Sequence, residues 1–436
     1  MEAVMNNMVN KKSNIFPMII IGVLFFIFGF VTWLNGSLIP FLKIICNLND
    51  FQALFVTFAF YFAYFVMALP MAFLLKKTGY RNGMALGLFI MSIGSLVFIP
   101  AAYSASFSIF LVALFILGTG LTILQTASNP YVVLLGPIES AAMRISIMGL
   151  INKGAGVIVP IVFTALVLSD LGDTSEAALK ALSADQLQSL SNQLVMPYLY
   201  MAVTTLCLIG LVKFSHLPEI EPEVEEGANE DKSGVLQFPQ AILGAIALFC
   251  YVGVEVIAGD TIGLFGSDAG VKHFASLTSY TMVFMVIGYV IGVTCIPKYL
   301  SQQKALIGSG IAGALCVVGV MTSSTESVSI AQSLWGWSGI PVVPNAITFV
   351  ALMGLAHALV WPSVWPLALK GLGEYTAQAS ALLIMGISGG AILPLIFGKL
   401  SESSGDIQSA YWVAIPCYLF ILFYALKGHK MRQWKN

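Results

Sequence analysis

Twelve apolar runs follow one another down this chain, at 17–43, 51–75, 83–103, 107–135, 145–169, 196–215, 236–259, 276–297, 305–323, 345–369, 377–398 and 409–427. Crossing a bilayer core takes roughly 20 helical residues, and backbone groups in lipid must be satisfied within helices or a closed barrel. A barrel would show short alternating segments rather than continuous runs. The pattern predicts an all-α integral membrane protein with twelve transmembrane helices. Charge agrees: only 9% of the residues are charged and 58% are hydrophobic, against roughly a quarter charged in a soluble domain. The first run starts near Pro17, is too long for a cleavable signal peptide, and ends without a small-residue cleavage site.

The least hydrophobic stretch, Pro218 to Ser233, carries seven acidic residues and reads as a solvated linker. It splits the spans six and six, giving an amino-terminal half over 1–215, an acidic cytoplasmic linker over 216–235 and a carboxy-terminal half over 236–436. A doubled segment supports the division. IMGLINKGAGVIVPIVFTAL from Ile147 returns as IMGISGGAILPLIFGKL from Ile384, in spans five and eleven, and both copies reach a Pro followed by an aliphatic-Phe unit. Two pseudo-symmetric halves in a membrane protein commonly hold a small solute between them. The polar chemistry is not repeated: Asn152 and Lys153 in the first copy face Ile387 and Ser388 in the second.

Lys and Arg set the orientation. With both termini inside, fifteen of the 20 basic residues fall in cytoplasmic segments; Lys43, Lys180, Lys272 and Lys399 fall outside, and Lys153 lies within a span. Both ends and the linker are expected to face the cytoplasm. The longest outside segment, Asp170 to Val195, holds Ser183 with Gln186, a capping-box pattern, and Leu187, Leu190 and Leu194 on one face. It predicts a short amphipathic helix at the outer interface, with a lid over the outer vestibule as the alternative.

Several chemistries have no foothold. The six cysteines are scattered singly without metal-ligand spacing, and the four histidines form no HExxH-like cluster, so no metal site is expected. There is no Gly-Lys-Ser/Thr phosphate loop and no basic stripe for nucleic acid. An intramembrane enzyme would need a Ser/His dyad, a GxGD-like Asp pair or HExxH, and none is present. A sensor would need an added soluble domain, for which these loops are too short. No cofactor is expected beyond a coupling ion.

The informative residues are polar ones inside apolar runs, because a charge near the midplane costs roughly 2.5–3.5 kcal/mol. Lys153 lies well within span five, either facing a central cavity or paired across an interface. Span seven holds Glu255 and Asp260, five residues apart, which a continuous helix would point in different directions. Gly253, Gly259 and Gly263 favour a local break there. The pair can bind a cation or a proton; alternatively Asp260 reaches outer water and only Glu255 is buried. Four amides, Asn35, Gln125, Asn129 and Asn152, lie in spans one, four and five. Amides both donate and accept, as sugar hydroxyls require. Asn35 sits beside Trp33 and an expected break at Gly36, and Pro130 is expected to interrupt span four. Span ten carries His357, Trp361 and Trp365 at four-residue spacing. Aromatic faces can stack on a pyranose ring, or either Trp can anchor the span at the interface. Few charges, many amides and aromatics suit a neutral polyhydroxylated solute.

FFIFGFVTWLNGSLIPFLK (Phe25 to Lys43), LQTASNPYVVLLGPIESAAMRISIMG (Leu124 to Gly149) and FCYVGVEVIAGD (Phe249 to Asp260) resemble the fucose–galactose–glucose symporter branch of the major facilitator superfamily. The likeness is nearest to its bacterial glucose/galactose transporters and runs over nearly the whole chain. The superfamily's general signature after span two is degenerate here, as LLKKTGYRNG from Leu74 to Gly83. The resemblance implies the major facilitator fold and secondary active hexose uptake by alternating access in the bacterial inner membrane, by a functional monomer. It also marks a departure. Fucose permeases of this branch have Asp where Gly36 stands and Glu where Gln125 stands, while Asn152 matches a family amide. The fucose-type proton relay therefore does not carry over. Lys153, Glu255 and Asp260 remain as coupling candidates, for sodium or protons. Import of N-acetylglucosamine or fucose is the near alternative. A multidrug exporter is disfavoured, since no Asp or Glu lies within spans one to six away from their ends.

Overall fold

The structure, a computed structural model, describes residues 15–135, 141–168, 182–215, 217, 234–296 and 299–434. Among these there is no strand, and twelve helices are long and apolar enough to cross a bilayer. They are α1 (Ile15–Ile45), α2 (Asp50–Met71), α3 (Lys77–Ser104), α4 (Phe107–Leu134), α5 (Ala141–Val167) and α6 (Val195–Phe214), then α7 (Pro239–Asp268), α8 (Phe274–Cys295), α9 (Gln302–Thr322), α10 (Asn345–Leu369), α11 (Gln378–Ser404) and α12 (Ile407–Lys430). The expected acidic linker, Pro218 to Ser233, the termini at 1–14 and 435–436, and 170–181 of the long outside segment lie outside the described residues.

Local breaks follow the sequence in some places and depart from it in others. Helical hydrogen bonding runs on from α2 into α3 and kinks at Gly79, in the first turn of α3, whose φ of 74° only glycine adopts readily. The expected break in span seven is present: the helix stops at Asp260, turns at Thr261 and restarts at Ile262. Span one does not break at Gly36; α1 is a single helix of 31 residues that also carries Pro40. Here glycine serves close packing instead, because a Cβ at Gly36 would strike Thr278 Oγ1 of α8. Span four likewise runs past Pro130 to Leu134. In span ten the interruption falls before the prolines, between helices Asn345–His357 and Val360–Leu369.

The expected interfacial helix forms at Ala184–Asn192, with both bonds of the Ser183–Gln186 capping box made. It is tied to the end of α3: Gln188 Nε2 donates to Ala102 O at 3.1 Å and Ser191 Oγ to the same carbonyl at 2.8 Å. That anchorage fits the packing role rather than the lid. A second short helix, Ser329–Trp335 between α9 and α10, was not expected from sequence. Asn345 braces it, donating to Ser329 Oγ at 3.1 Å and accepting from Ile330 N at 2.9 Å.

Helices from the first six spans meet those from the last six along three seams: α5 on α8, α2 on α11, and α1 on α7. The seams are tight at the end that the sequence places outside. Ser37 Oγ donates to Ala275 O at 2.7 Å, Ser279 Oγ to Val157 O at 2.8 Å, and Asn49 Nδ2 to Glu402 Oε1 at 3.4 Å. Toward the other end, α4 and α10 have no extended packing against each other among the described residues.

Candidate functional site

The centre of the site is made where α5 meets α1 and α7. Gly29 of α1 has no Cβ, and one there would collide with the Asn152 carbonyl. Gly156 and Gly259 leave room for the Trp33 ring, which would lie 2.7 and 2.6 Å from their added Cβ atoms. The fully buried Trp33 indole is thus clamped between α5 and α7. Its Nε1 donates to Asn152 Oδ1 at 3.4 Å, and Asn152 Nδ2 donates to Phe25 O at 3.4 Å.

Lys153, next on α5, turns toward α7. Its Nζ lies 4.2 Å from the Trp33 ring centroid and 2.9 Å from Glu255 Oε1. Tyr251, one turn before Glu255, donates its hydroxyl to the same oxygen at 2.6 Å. Lys153 and Glu255 are 8% and 6% exposed, so their pairing satisfies charges that burial would otherwise make costly. The indole face adds a cation–π attraction of about 0.5–2 kcal/mol.

Aromatic side chains continue the wall from Tyr251. Trp361 lies 6.4 Å from Tyr251 and 5.6 Å from Trp365, ring centre to ring centre. His357 is edge-on to Tyr251 at 6.1 Å, and its Nε2 pairs with Tyr418 OH at 2.6 Å. Some buried polar atoms here have no protein partner: Asn35 Nδ2, His357 Nδ1, Trp365 Nε1 and both carboxylate oxygens of Asp260.

The structure therefore brings Asn152, Lys153 and Glu255 into one bonded cluster, with Trp361 and Trp365 joined to it through Tyr251. Asn35 is buried on α1, two residues from Trp33. Asp260 is fully buried, so the alternative in which it reaches outer water does not hold; it lies within electrostatic reach of Lys153 and Glu255. Gln125 and Asn129 are half-buried on α4, and no hydrogen bond joins them to the cluster. Tyr251 was missed from sequence, although its four-residue spacing to Glu255 is a helical i,i+4 signal. Tyr418 carried no signal, because its link to His357 exists only in three dimensions.

Residues 21–394 match the family described as Major Facilitator Superfamily. Over 426 residues the chain is 33% identical to a protein of Brucella abortus biovar 1 (strain 9-941) named glucose/galactose transporter, covering 97% of this chain and 96% of that one. It is 27% identical over 430 residues to the L-fucose-proton symporter of Escherichia coli (strain K12), covering 95% and 93%. The Major Facilitator Superfamily transporter FucP, solved in the outward conformation, superposes with a TM-score of 0.71 at 26% identity, covering 95% of this chain and 98% of that one. A D-xylose-proton symporter shares the fold, with a TM-score of 0.65 at 15% identity over 94% of this chain and 96% of that one.

Proposed function

The chain belongs to the Major Facilitator Superfamily, and from that premise we propose that it takes up a neutral hexose, glucose or galactose, by cation-coupled alternating access. One observation carries the reading: the buried centre is lined by amides, hydroxyls and indole faces, and its one ion pair neutralises itself. Lys153 and Glu255 bond each other, so no net charge from them is left to recruit an ionic solute. A phosphate ester would need an arginine pair, which the bonded cluster does not hold. The names of the Brucella and Escherichia relatives, for glucose/galactose and fucose, favour the same class.

In this reading Asn35, Asn152 and, once the cavity opens, Gln125 and Asn129 take the sugar hydroxyls. Trp361 and Trp365 stack on its apolar face, which the tilted Trp361–Tyr251 wall already presents. Lys153, Glu255 and Asp260 serve ion coupling. The two units, 1–215 and 236–436, rock about the seams, with the 216–235 linker and both termini in the cytoplasm of a bacterial cell. Tight seams at the outer end and the unpacked ends of α4 and α10 fit a state closed to the outside; FucP in its outward conformation is the counterpart. The protein acts as a monomer in the inner membrane, without enzymatic activity.

The test is sugar exchange. Purified protein in liposomes loaded with unlabelled sugar is given radiolabelled glucose, galactose, fucose or N-acetylglucosamine. Exchange of glucose or galactose is expected. Exchange of fucose or N-acetylglucosamine alone would reassign the substrate, and exchange of none would sink the reading.

A further inference from the structure

We propose that the coupling ion is a proton and that Asp260 on α7 carries it. This rests on the transport reading above and adds the ion and its carrier to it.

The two buried carboxylates of α7 stand in opposite conditions. Glu255 Oε1 accepts from Lys153 Nζ at 2.9 Å and Tyr251 OH at 2.6 Å. Asp260 is 0% exposed, and neither of its oxygens has a hydrogen-bond partner. An ionised carboxylate so placed has lost its water and gained nothing in return. A bound proton removes the charge.

The surroundings supply no other remedy. The ionisable groups facing Asp260 are Lys153 from α5, Tyr61 from α2 and Glu255 from its own helix. Lys153 is already bonded to Glu255. Tyr289 of α8 and Tyr418 of α12 face Glu255, and His357 of α10 faces Lys153. Tyr411 of α12 is bonded to Thr261, at 3.2 Å between hydroxyls. On α1 and α11 the charges sit at the outer end, where Lys43 pairs with Asp50 and Lys399 with Glu402.

Sodium would need a shell of oxygens, and a broken helix ordinarily offers backbone carbonyls for it. The three carbonyls before Asp260 are already engaged. Ile257 O accepts from Thr261 Oγ1 at 2.6 Å, Ala258 O from Thr281 Oγ1 at 2.9 Å, and Gly259 O from Thr278 Oγ1 at 2.7 Å. Each threonine takes one lone pair of its carbonyl, and Thr261 N takes the second on Ile257 O, which thins the shell a metal ion would draw on. A proton needs a single carboxylate oxygen.

The same threonines explain how the proton couples to motion. Thr278 bonds α7 at Gly259 and fills the space beside Gly36 of α1, in the seam that closes the outer end. Closing that seam buries Asp260. An ionised Asp260 therefore opposes closure, and a protonated one permits it. A hydronium ion in outside water gives one proton to the carboxylate, one O–H bond breaking as another forms. The carboxyl returns it to cytoplasmic water once further opening of the inner side lets that water reach Asp260, which is fully buried in this state. No other bond changes.

The experiment uses the full chain in liposomes with radiolabelled glucose and galactose. An acid-outside pH gradient at equal sodium is expected to drive accumulation, and an inward sodium gradient at equal pH to drive none. Asp260→Asn is expected to abolish accumulation and to make gradient-free sugar exchange independent of pH; Asp260→Glu is expected to restore accumulation with a displaced pH profile. Should the Asn variant fail to fold, the wild type still decides: sugar added to a sodium-free, lightly buffered suspension must make the outer medium more alkaline. Sodium-driven accumulation at clamped pH, absent alkalinisation, or undiminished pH-driven accumulation by the Asn variant would each overturn the proposal. Wild-type exchange without pH-driven accumulation fells this proposal alone. Absence of any wild-type exchange fells the transport reading with it.

Discussion

Lys153 Nζ on α5 lies 2.9 Å from Glu255 Oε1 on α7, an ion pair between residues 102 positions apart that bridges the first six spans to the last six. Removing one partner of a buried pair leaves the other uncompensated, at about 3–5 kcal/mol, whereas replacing both with apolar residues is often neutral. Lys153→Met and Glu255→Leu are therefore each expected to lower the detergent-solubilised protein's unfolding temperature. The double variant is expected to recover most of the loss without recovering sugar accumulation. A double variant whose loss equals the sum of the two single losses would mean the pair contributes nothing specific to stability.

The Trp361 indole leans on Tyr251 and Trp365 rather than standing alone at an interface. If it stacks on the sugar, Trp361→Ala removes about 1 kcal/mol, or roughly a fivefold loss of apparent affinity, and Trp361→Phe loses less. Concentration dependence of exchange measures this. An unchanged apparent affinity in the Ala variant would make Trp361 an interface anchor.

Gly36 packs where a Cβ would strike Thr278 Oγ1, with Gly259 O at 3.1 Å as the next obstacle. Gly36→Ala is expected to wedge this seam, lowering both thermal stability and exchange rate. Adding Thr278→Ala removes the offending hydroxyl and is expected to restore part of both. Full activity of Gly36→Ala alone would show that the seam gives more readily than its packing indicates.

Ser183 caps the short helix Ala184–Asn192 that is bonded to the end of α3. Ser183→Ala is expected to cost about 1 kcal/mol of local stability, seen as faster hydrogen exchange in that helix, with sugar exchange unaltered. A marked change in exchange rate would revive the lid reading for this helix.

What the sequence discloses and what it hides divide along a physical line. Span limits were legible because lipid imposes hydrophobicity residue by residue; the capping box at Ser183 and the break beside Asp260 were legible because their causes are local. Gly36 misled, since a glycine that permits a bend and a glycine that permits an approach look alike until the neighbour, Thr278, is known. The Lys153–Glu255 bond and the His357–Tyr418 contact were out of reach for the same reason: nothing within either residue's own helix specifies its partner. Of the amides, Asn152 lies in the bonded cluster, whereas Gln125 and Asn129 stand apart from it on α4. Their four-residue spacing puts the two on one helix face, but does not say which residues lie across from it.

The backbone contact of Gly29 with Asn152, and the matching one of Gly389 with the Phe249 carbonyl, leave only a hydrogen atom between helices beside the site. Positions packed this closely admit no larger residue, so they are barred from diversifying. Under the proposed reading, sugar preference is left to α4 and α10, where Gln125, Asn129, Trp361 and Trp365 are only half-buried. The molecule separates a wall that evolution has to keep from one that it can redraw.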